Sequence, residues 1–92
     1  MDTAKFNELL AQLKALDCKD MYNNDFFLTW EKTDDELKAV WTVADILRTL
    51  REGNVSTKVF DSGLGISLFR DNSTRTRFSF ASACNNYHIF II

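Results

Sequence analysis

The chain contains no proline and only three glycines, at positions 53, 63 and 65. Proline and glycine are the residues that most often interrupt helices and strands, so the segments on either side of residues 53–65 can form long continuous elements. We therefore expect a largely helical chain whose tight turns are concentrated in that segment. Its 92 residues are enough for one domain with a modest core.

The first predicted helix covers Thr3 to about Leu16. Asp2 or Thr3 can cap its start by accepting a hydrogen bond from a free N–H group of the first turn. Apolar residues recur along it at the three- and four-residue spacing of one helix face, namely Phe6, Leu9, Leu10, Leu13 and Leu16. We expect this face to belong to the core.

The second predicted helix begins at a capping box, with Thr33 as the N-cap and Glu36 at the third helical position. Gly53 is expected to end it. A long apolar stripe follows the capping box, formed by Leu37, Val40, Trp41, Ala44, Leu47 and Leu50. This stripe is also predicted to be core.

Short runs of β-forming residues occur at residues 26–30, 58–60 and 66–69. The last run, with Ile66, Leu68 and Phe69, is the most compact strand candidate. A short turn is predicted over residues 70–72, and a third helix is predicted to begin near Ser73 or Thr74. The order is therefore strand, turn and helix start.

The net charge of −2 argues against general binding to nucleic acids or membranes, because the protein as a whole has no basic field. Its positive charge is instead local, since Arg70, Arg75 and Arg77 lie close together in the sequence. A local cluster of this kind favours a small anionic ligand over a long polyanion.

Cysteine and histidine usage predicts neither a metal site nor a cofactor. Cys18 and Cys84 lie in no metal-ligand spacing, and His88 is the only histidine. We expect two reduced thiols in a cytoplasmic protein. Lys5 and Glu8 interrupt any apolar core of a signal peptide. No run approaches the roughly 20 apolar residues of a membrane span.

The third predicted helix opens with hydroxyl and guanidinium groups at the place where a helix has unpaired N–H groups. Ser73, Thr74 and Thr76 supply hydroxyl donors, and Arg75 can bind two phosphate oxygens through its planar guanidinium. This pattern fits a phosphate site, and it fits a simple capped helix equally well. Arg77 follows Arg75 by two positions and so points elsewhere on the helix.

Residues 67–80, SLFRDNSTRTRFSF, resemble the carbamoyl-phosphate motif of the aspartate/ornithine carbamoyltransferase superfamily. The similarity extends over about residues 25–85 and includes the capped second helix. Arg70 stands where the aspartate and ornithine enzymes usually have glutamate. With GLGI at residues 63–66, this arginine makes the chain similar to the knotted carbamoyltransferase branch of the YgeW type, whose carbamoyl acceptor is unsettled.

The resemblance implies an α/β fold, namely the N-terminal part of a carbamoyl-phosphate-binding domain, mostly helical with one or two short parallel strands. It also implies that Ser73, Thr74, Arg75 and Thr76 bind carbamoyl phosphate. Arg70 is a possible accessory contact. Arg77 is a second possible accessory residue. The favoured interpretation is that it has a structural role and pairs with a carboxylate.

The resemblance implies transfer of a carbamoyl group to an amine of an amino-acid-like or ureide-type acceptor, in trimer-based homo-oligomers. Family members are several hundred residues long, so we expect this chain to be inactive alone. We assign residues 1–85 to a partial domain. We hypothesise that residues 86–92, which are apolar and β-forming, are a divergent tail that follows a truncation or frameshift.

Two other functions remain to be weighed against this one. The first is a small non-enzymatic helical module that binds a partner through its apolar helix faces and its apolar tail. The second is a nucleic-acid binder with a basic helix, which the net acidity disfavours.

Overall fold

The computed structural model describes residues 2–70 and 73–91. Its elements are α1 (Thr3–Lys14), α2 (Asp34–Glu52), β1 (Leu64–Gly65), α3 (Thr74–Asn86) and β2 (Phe90–Ile91), with short 3-10 turns at Lys19–Met21 and Thr29–Glu31. The prediction of a mostly helical α/β chain with one or two short parallel strands is confirmed. The chain divides into two compact units, Met1–Val55 and Ser56–Ile92.

In the first unit, α1 packs against α2, and side chains cap both helices at their starts. The Lys5 N–H donates to Asp2 Oδ1 at 3.0 Å. At α2 the Glu36 N–H donates to Thr33 Oγ1 at 3.1 Å, and the Thr33 N–H donates to Glu36 Oε1 at 2.8 Å. The predicted capping box is therefore confirmed, and both helices begin where local sequence indicates.

The end of α2 differs in detail from the prediction that Gly53 stops the helix. Gly53 is the C-cap, but its φ is −86° and the left-handed conformation is adopted by Asn54, at φ 58°. The Val55 N–H donates to Leu50 O at 2.9 Å and the Asn54 N–H to Arg51 O at 3.0 Å. These two bonds form a Schellman motif, and asparagine is the residue other than glycine that most readily adopts this conformation.

Burial in the first unit is shallower than the two apolar stripes predict. Helix α1 has no buried residue, and the buried residues of α2 are Glu36, Ala39 and Thr49. Trp41, in the middle of the predicted stripe, is 65% exposed. The leucines of both helices are only half-buried, because one helix pair offers each of them a single apolar neighbouring surface.

The second unit contains a β–α–β arrangement, β1–α3–β2. The two strands are parallel, with Leu64 opposite Phe90 and Gly65 opposite Ile91. Parallel neighbours need a long crossover connection, which α3 supplies. Helix α3 lies very close to β1, since a Cβ added at Gly65 would be 2.7 Å from Cys84 Sγ and 3.2 Å from Phe80 Cζ.

The strand positions are where the sequence prediction was wrong. Within the described residues, the strand predicted from Ile66, Leu68 and Phe69 is found at Leu64–Gly65, which pair with Phe90 and Ile91 of β2. Residues 26–28 and 58–60 are in neither a helix nor a strand. The turn predicted over residues 70–72 falls on Asp71 and Asn72, which lie outside the described residues.

The C-terminal residues take part in the second unit. Helix α3 ends at Asn86, and Phe90–Ile91 form β2. A boundary after residue 85 and a frameshift origin of residues 86–92 stay predictions. Among the helices of residues 2–70 and 73–91, none is long and apolar enough to cross a membrane.

Candidate functional site

The candidate site is the first turn of α3. Ser73 is the N-cap, and the first hydrogen bond of the helix runs from the Arg77 N–H to Ser73 O at 2.9 Å. The N–H groups of the three intervening residues therefore have no acceptor one turn earlier within the helix. The predicted helix start at Ser73 or Thr74 is confirmed, and it places all four predicted ligand-binding residues in one turn.

Within the described residues, the Ser73 side chain does not cap α3 in the way that side chains cap the other two helices. Ser73 makes no side-chain capping hydrogen bond within the part of the chain that the structure describes. Asp2 and Thr33 both make one. Ser73 is half-buried, whereas Thr74, Arg75 and Thr76 are exposed and open to a ligand.

The charge pattern of the first turn is the reverse of the one that stabilises a helix. Helix α2 begins with three acidic residues, and α3 begins with none. Arg75 instead lies at the second position of α3, next to the partial positive charge of the helix N-terminus. A bound anion would offset both charges at once, so this arrangement favours an anionic ligand over simple capping.

Arg77 lies over an aromatic ring. Its Cζ atom is 5.3 Å from the centroid of the Phe69 ring, which is the geometry of a cation–π contact. The sequence interpretation had Arg77 pair with a carboxylate, and it gave Phe69 no role beside Arg77. Phe69 lies four residues before the N-cap, whereas the known sequence signal is an apolar residue directly before it, so spacing alone did not identify Phe69.

Arg70 is exposed and ends the described segment before the first turn of α3. The two residues that join it to Ser73 lie outside the described residues. Its role as an accessory contact stays a prediction.

The opposite end of α3 has its carbonyl groups well satisfied. The Ile89 N–H donates to Cys84 O at 2.8 Å and the His88 N–H to Asn85 O at 3.3 Å, a Schellman motif with His88 at φ 62°. The buried Thr57 hydroxyl donates to Asn86 O at 3.1 Å. The C-terminus of α3 is thus fixed by its neighbours, while its N-terminal turn displays polar groups to solvent.

Comparison with known proteins identifies the family of the chain. A sequence model of the aspartate/ornithine carbamoyltransferase carbamoyl-P binding domain matches residues 24–91, which include β1, α3 and β2. Proteins that carry the name carbamoyltransferase YgeW are similar to the chain. They come from Escherichia coli strains K12 and CFT073 (O6:H1), and from Escherichia coli O157:H7.

Each of these relatives is 61% identical over 79 residues, which is 86% of this chain and 20% of the relative. The chain thus spans about a fifth of their length. The resemblance to the YgeW branch is confirmed by these relatives. Because the matched model covers most of the chain, the chain belongs to the aspartate/ornithine carbamoyltransferase family, within its carbamoyl-P binding domain.

Proposed function

We propose that this chain is the carbamoyl-phosphate-binding part of a carbamoyltransferase, and that Ser73, Thr74, Arg75 and Thr76 bind that ligand. The observation that carries the proposal is the position of this S-T-R-T sequence at the first turn of α3, inside the segment that matches the family. Hydroxyl groups, a guanidinium and first-turn N–H groups all converge there, and these are the donors that a phosphate dianion needs.

The chemistry assigned to these residues follows from the reaction. An amine nitrogen of the acceptor attacks the carbonyl carbon of carbamoyl phosphate, and the bond from that carbon to the phosphate oxygen breaks. Phosphate leaves with the bonding electrons, and the amine loses a proton. Arg75 and the first-turn N–H groups neutralise the leaving phosphate, and Thr76 also hydrogen-bonds the carbamoyl oxygen, where negative charge develops.

Several parts of the proposal concern the whole protein. The acceptor is an amino-acid-like or ureide-type amine, which places the reaction in amino acid metabolism. We further propose a cytoplasmic protein that assembles into trimer-based homo-oligomers. The 92-residue chain alone is proposed to bind the phosphate ligand without transferring its carbamoyl group.

Titration of the chain with inorganic phosphate, followed by heteronuclear NMR, tests the site directly. We expect the amide signals of residues 73–76 to shift in a saturable manner. Arg75→Ala should weaken the affinity by about tenfold or more, because a hydrogen bond to a charged group contributes about 1.5–3 kcal/mol. Arg48→Ala removes the same charge from α2, in the first unit, and should leave the affinity unchanged.

Two results would contradict the proposal. One is the absence of saturable shifts at the first turn of α3. The other is an equal loss of affinity in Arg75→Ala and Arg48→Ala, which would indicate a general charge effect.

A second candidate function, the non-enzymatic helical module, is favoured by the exposure of large apolar side chains such as Trp30, Trp41 and Phe78. It predicts a specific partner complex that survives Arg75→Ala. The same variant therefore separates the two candidates, because it should weaken phosphate binding about tenfold or more and leave the partner complex intact.

A further inference from the structure

We propose that Arg77 is a positioning residue for the anion site and that it acts through Phe69. This inference rests on the proposed function, because it assigns a role within the same site. In this role Arg77 neither contacts the ligand directly nor pairs with a carboxylate.

Phe69 and Arg77 lie on either side of the proposed site in the sequence. Phe69 stands four residues before the N-cap Ser73, and Arg77 stands four residues after it. The contact between them therefore joins the segment that follows β1 to the start of the second turn of α3. Ser73, Thr74, Arg75 and Thr76 lie between the two residues in the sequence.

A contact between a residue outside a helix and one in its second turn constrains how the helix begins. In a hydrophobic staple, the residue directly before the N-cap packs on the fourth helical residue and fixes the angle at which the chain enters the helix. The contact made by Phe69 starts three residues earlier in the chain than a staple does, and it likewise links the fourth helical residue to a residue outside the helix. In α3 the fourth helical residue is Arg77, and its partner is an aromatic ring. The entry angle sets where Ser73 and the first-turn N–H groups point, and these are the groups proposed to bind the phosphate.

Arginine is well suited to this contact with an aromatic ring. The half-buried Phe69 ring presents a negative face that attracts a cation, and the flat guanidinium can stack on it. Arg77 also projects from a different side of the helix than Arg75, since residues two apart do not face one another. Its charge is thereby engaged by the ring, and Arg75 is left to the ligand.

The expected loss of phosphate affinity follows from the strength of the cation–π contact. A cation–π contact at an exposed site changes an equilibrium by about two- to fivefold. Loss of the contact should therefore weaken phosphate binding by about two- to fivefold. This loss is clearly smaller than the one expected for Arg75→Ala.

The test is a double-mutant cycle on the full chain with inorganic phosphate as the probe. Arg77→Ala and Phe69→Leu should each weaken binding by about two- to fivefold, and the double variant should bind no more weakly than either one. Phe69→Tyr keeps an aromatic ring and should retain the affinity. Circular dichroism of each variant confirms that α3 is still formed.

The outcomes separate this inference from the proposed function. If Arg77→Ala weakens binding while Phe69→Leu does not, Arg77 contacts the ligand itself and the inference is overturned. Additive losses, or a Phe69→Tyr variant as weak as Phe69→Leu, overturn it as well. If the unmodified chain binds no phosphate, the proposed function fails first, and the positioning role fails with it.

Discussion

At the scale of single residues, Arg75 makes the first turn of α3 less stable than an acidic residue at the same position would. A cation at the second position of a helix is repelled by the partial positive charge of the first turn. Helix α2 has acidic residues at the equivalent place, so the same chain elsewhere follows the favourable pattern. Sites that bind ligands commonly carry such local costs, which the bound ligand offsets.

This cost predicts that Arg75→Glu stabilises the ligand-free chain while abolishing phosphate binding. Replacing a repelled charge with an attracted one should raise the free energy of unfolding by about 0.5–2 kcal/mol. Thermal unfolding in a buffer without phosphate measures the change. Arg51→Glu, in the last turn of α2, is the opposed control and should destabilise the chain, because the helix dipole favours a cation there. A destabilised Arg75→Glu variant would contradict the argument.

The part of the site that is formed by neighbouring residues in the sequence could be predicted. Hydroxyl groups and an arginine at a helix start are visible in the sequence, and the structure places Ser73, Thr74 and Arg75 in one turn as expected. The contact between Phe69 and Arg77 was not predicted. It joins a residue outside the helix to one in its second turn, and local sequence preferences do not specify such a contact.

At the scale of elements, the helices could be predicted and the strands could not. The capping box of α2 depends on residues three apart, so sequence alone specifies it. Helix ends are less certain, because Asn54 and His88 both take the left-handed position that glycine usually occupies. Strand β1 depends on β2, which is far away in sequence, and the β-forming tendency of residues 66–69 did not locate it.

The packing of α3 on β1 predicts that Gly65→Ala destabilises the second unit. The new methyl group would lie 2.7 Å from Cys84 Sγ, closer than van der Waals contact allows, and Phe80 Cζ at 3.2 Å limits any shift. Overpacking of this kind costs about 1–3 kcal/mol. Urea unfolding followed by circular dichroism measures the loss.

Cys84→Ala provides the matched test of the mechanism, because it removes the sulfur that the new methyl group would meet. In the Cys84→Ala background, Gly65→Ala should cost clearly less than in the unmodified chain. Equal costs in both backgrounds would show that the close approach of Gly65 to Cys84 is not the cause.

At the scale of the whole molecule, the main feature is how little apolar surface the described residues bury. The buried apolar residues of the described part are Ala39 and Cys84, while Leu68 is 95% exposed. Exposed apolar surface of this extent is typical of protein that packs against further protein. The chain spans about a fifth of the length of the relatives it matches.

The exposed state of the proposed site leads to the last prediction, that the purified chain binds phosphate but does not transfer a carbamoyl group. Thr74, Arg75 and Thr76 are exposed, so water surrounds the ligand and weakens the electrostatic stabilisation of the developing charge. Carbamoyl phosphate and a panel of amino-acid and ureide amines are incubated with the chain, and the carbamoylated product is quantified. An ornithine carbamoyltransferase serves as the positive control for the assay. Product formed above the background of the Arg75→Ala variant would contradict the prediction and would show that this first turn, open to solvent, is sufficient for the chemistry.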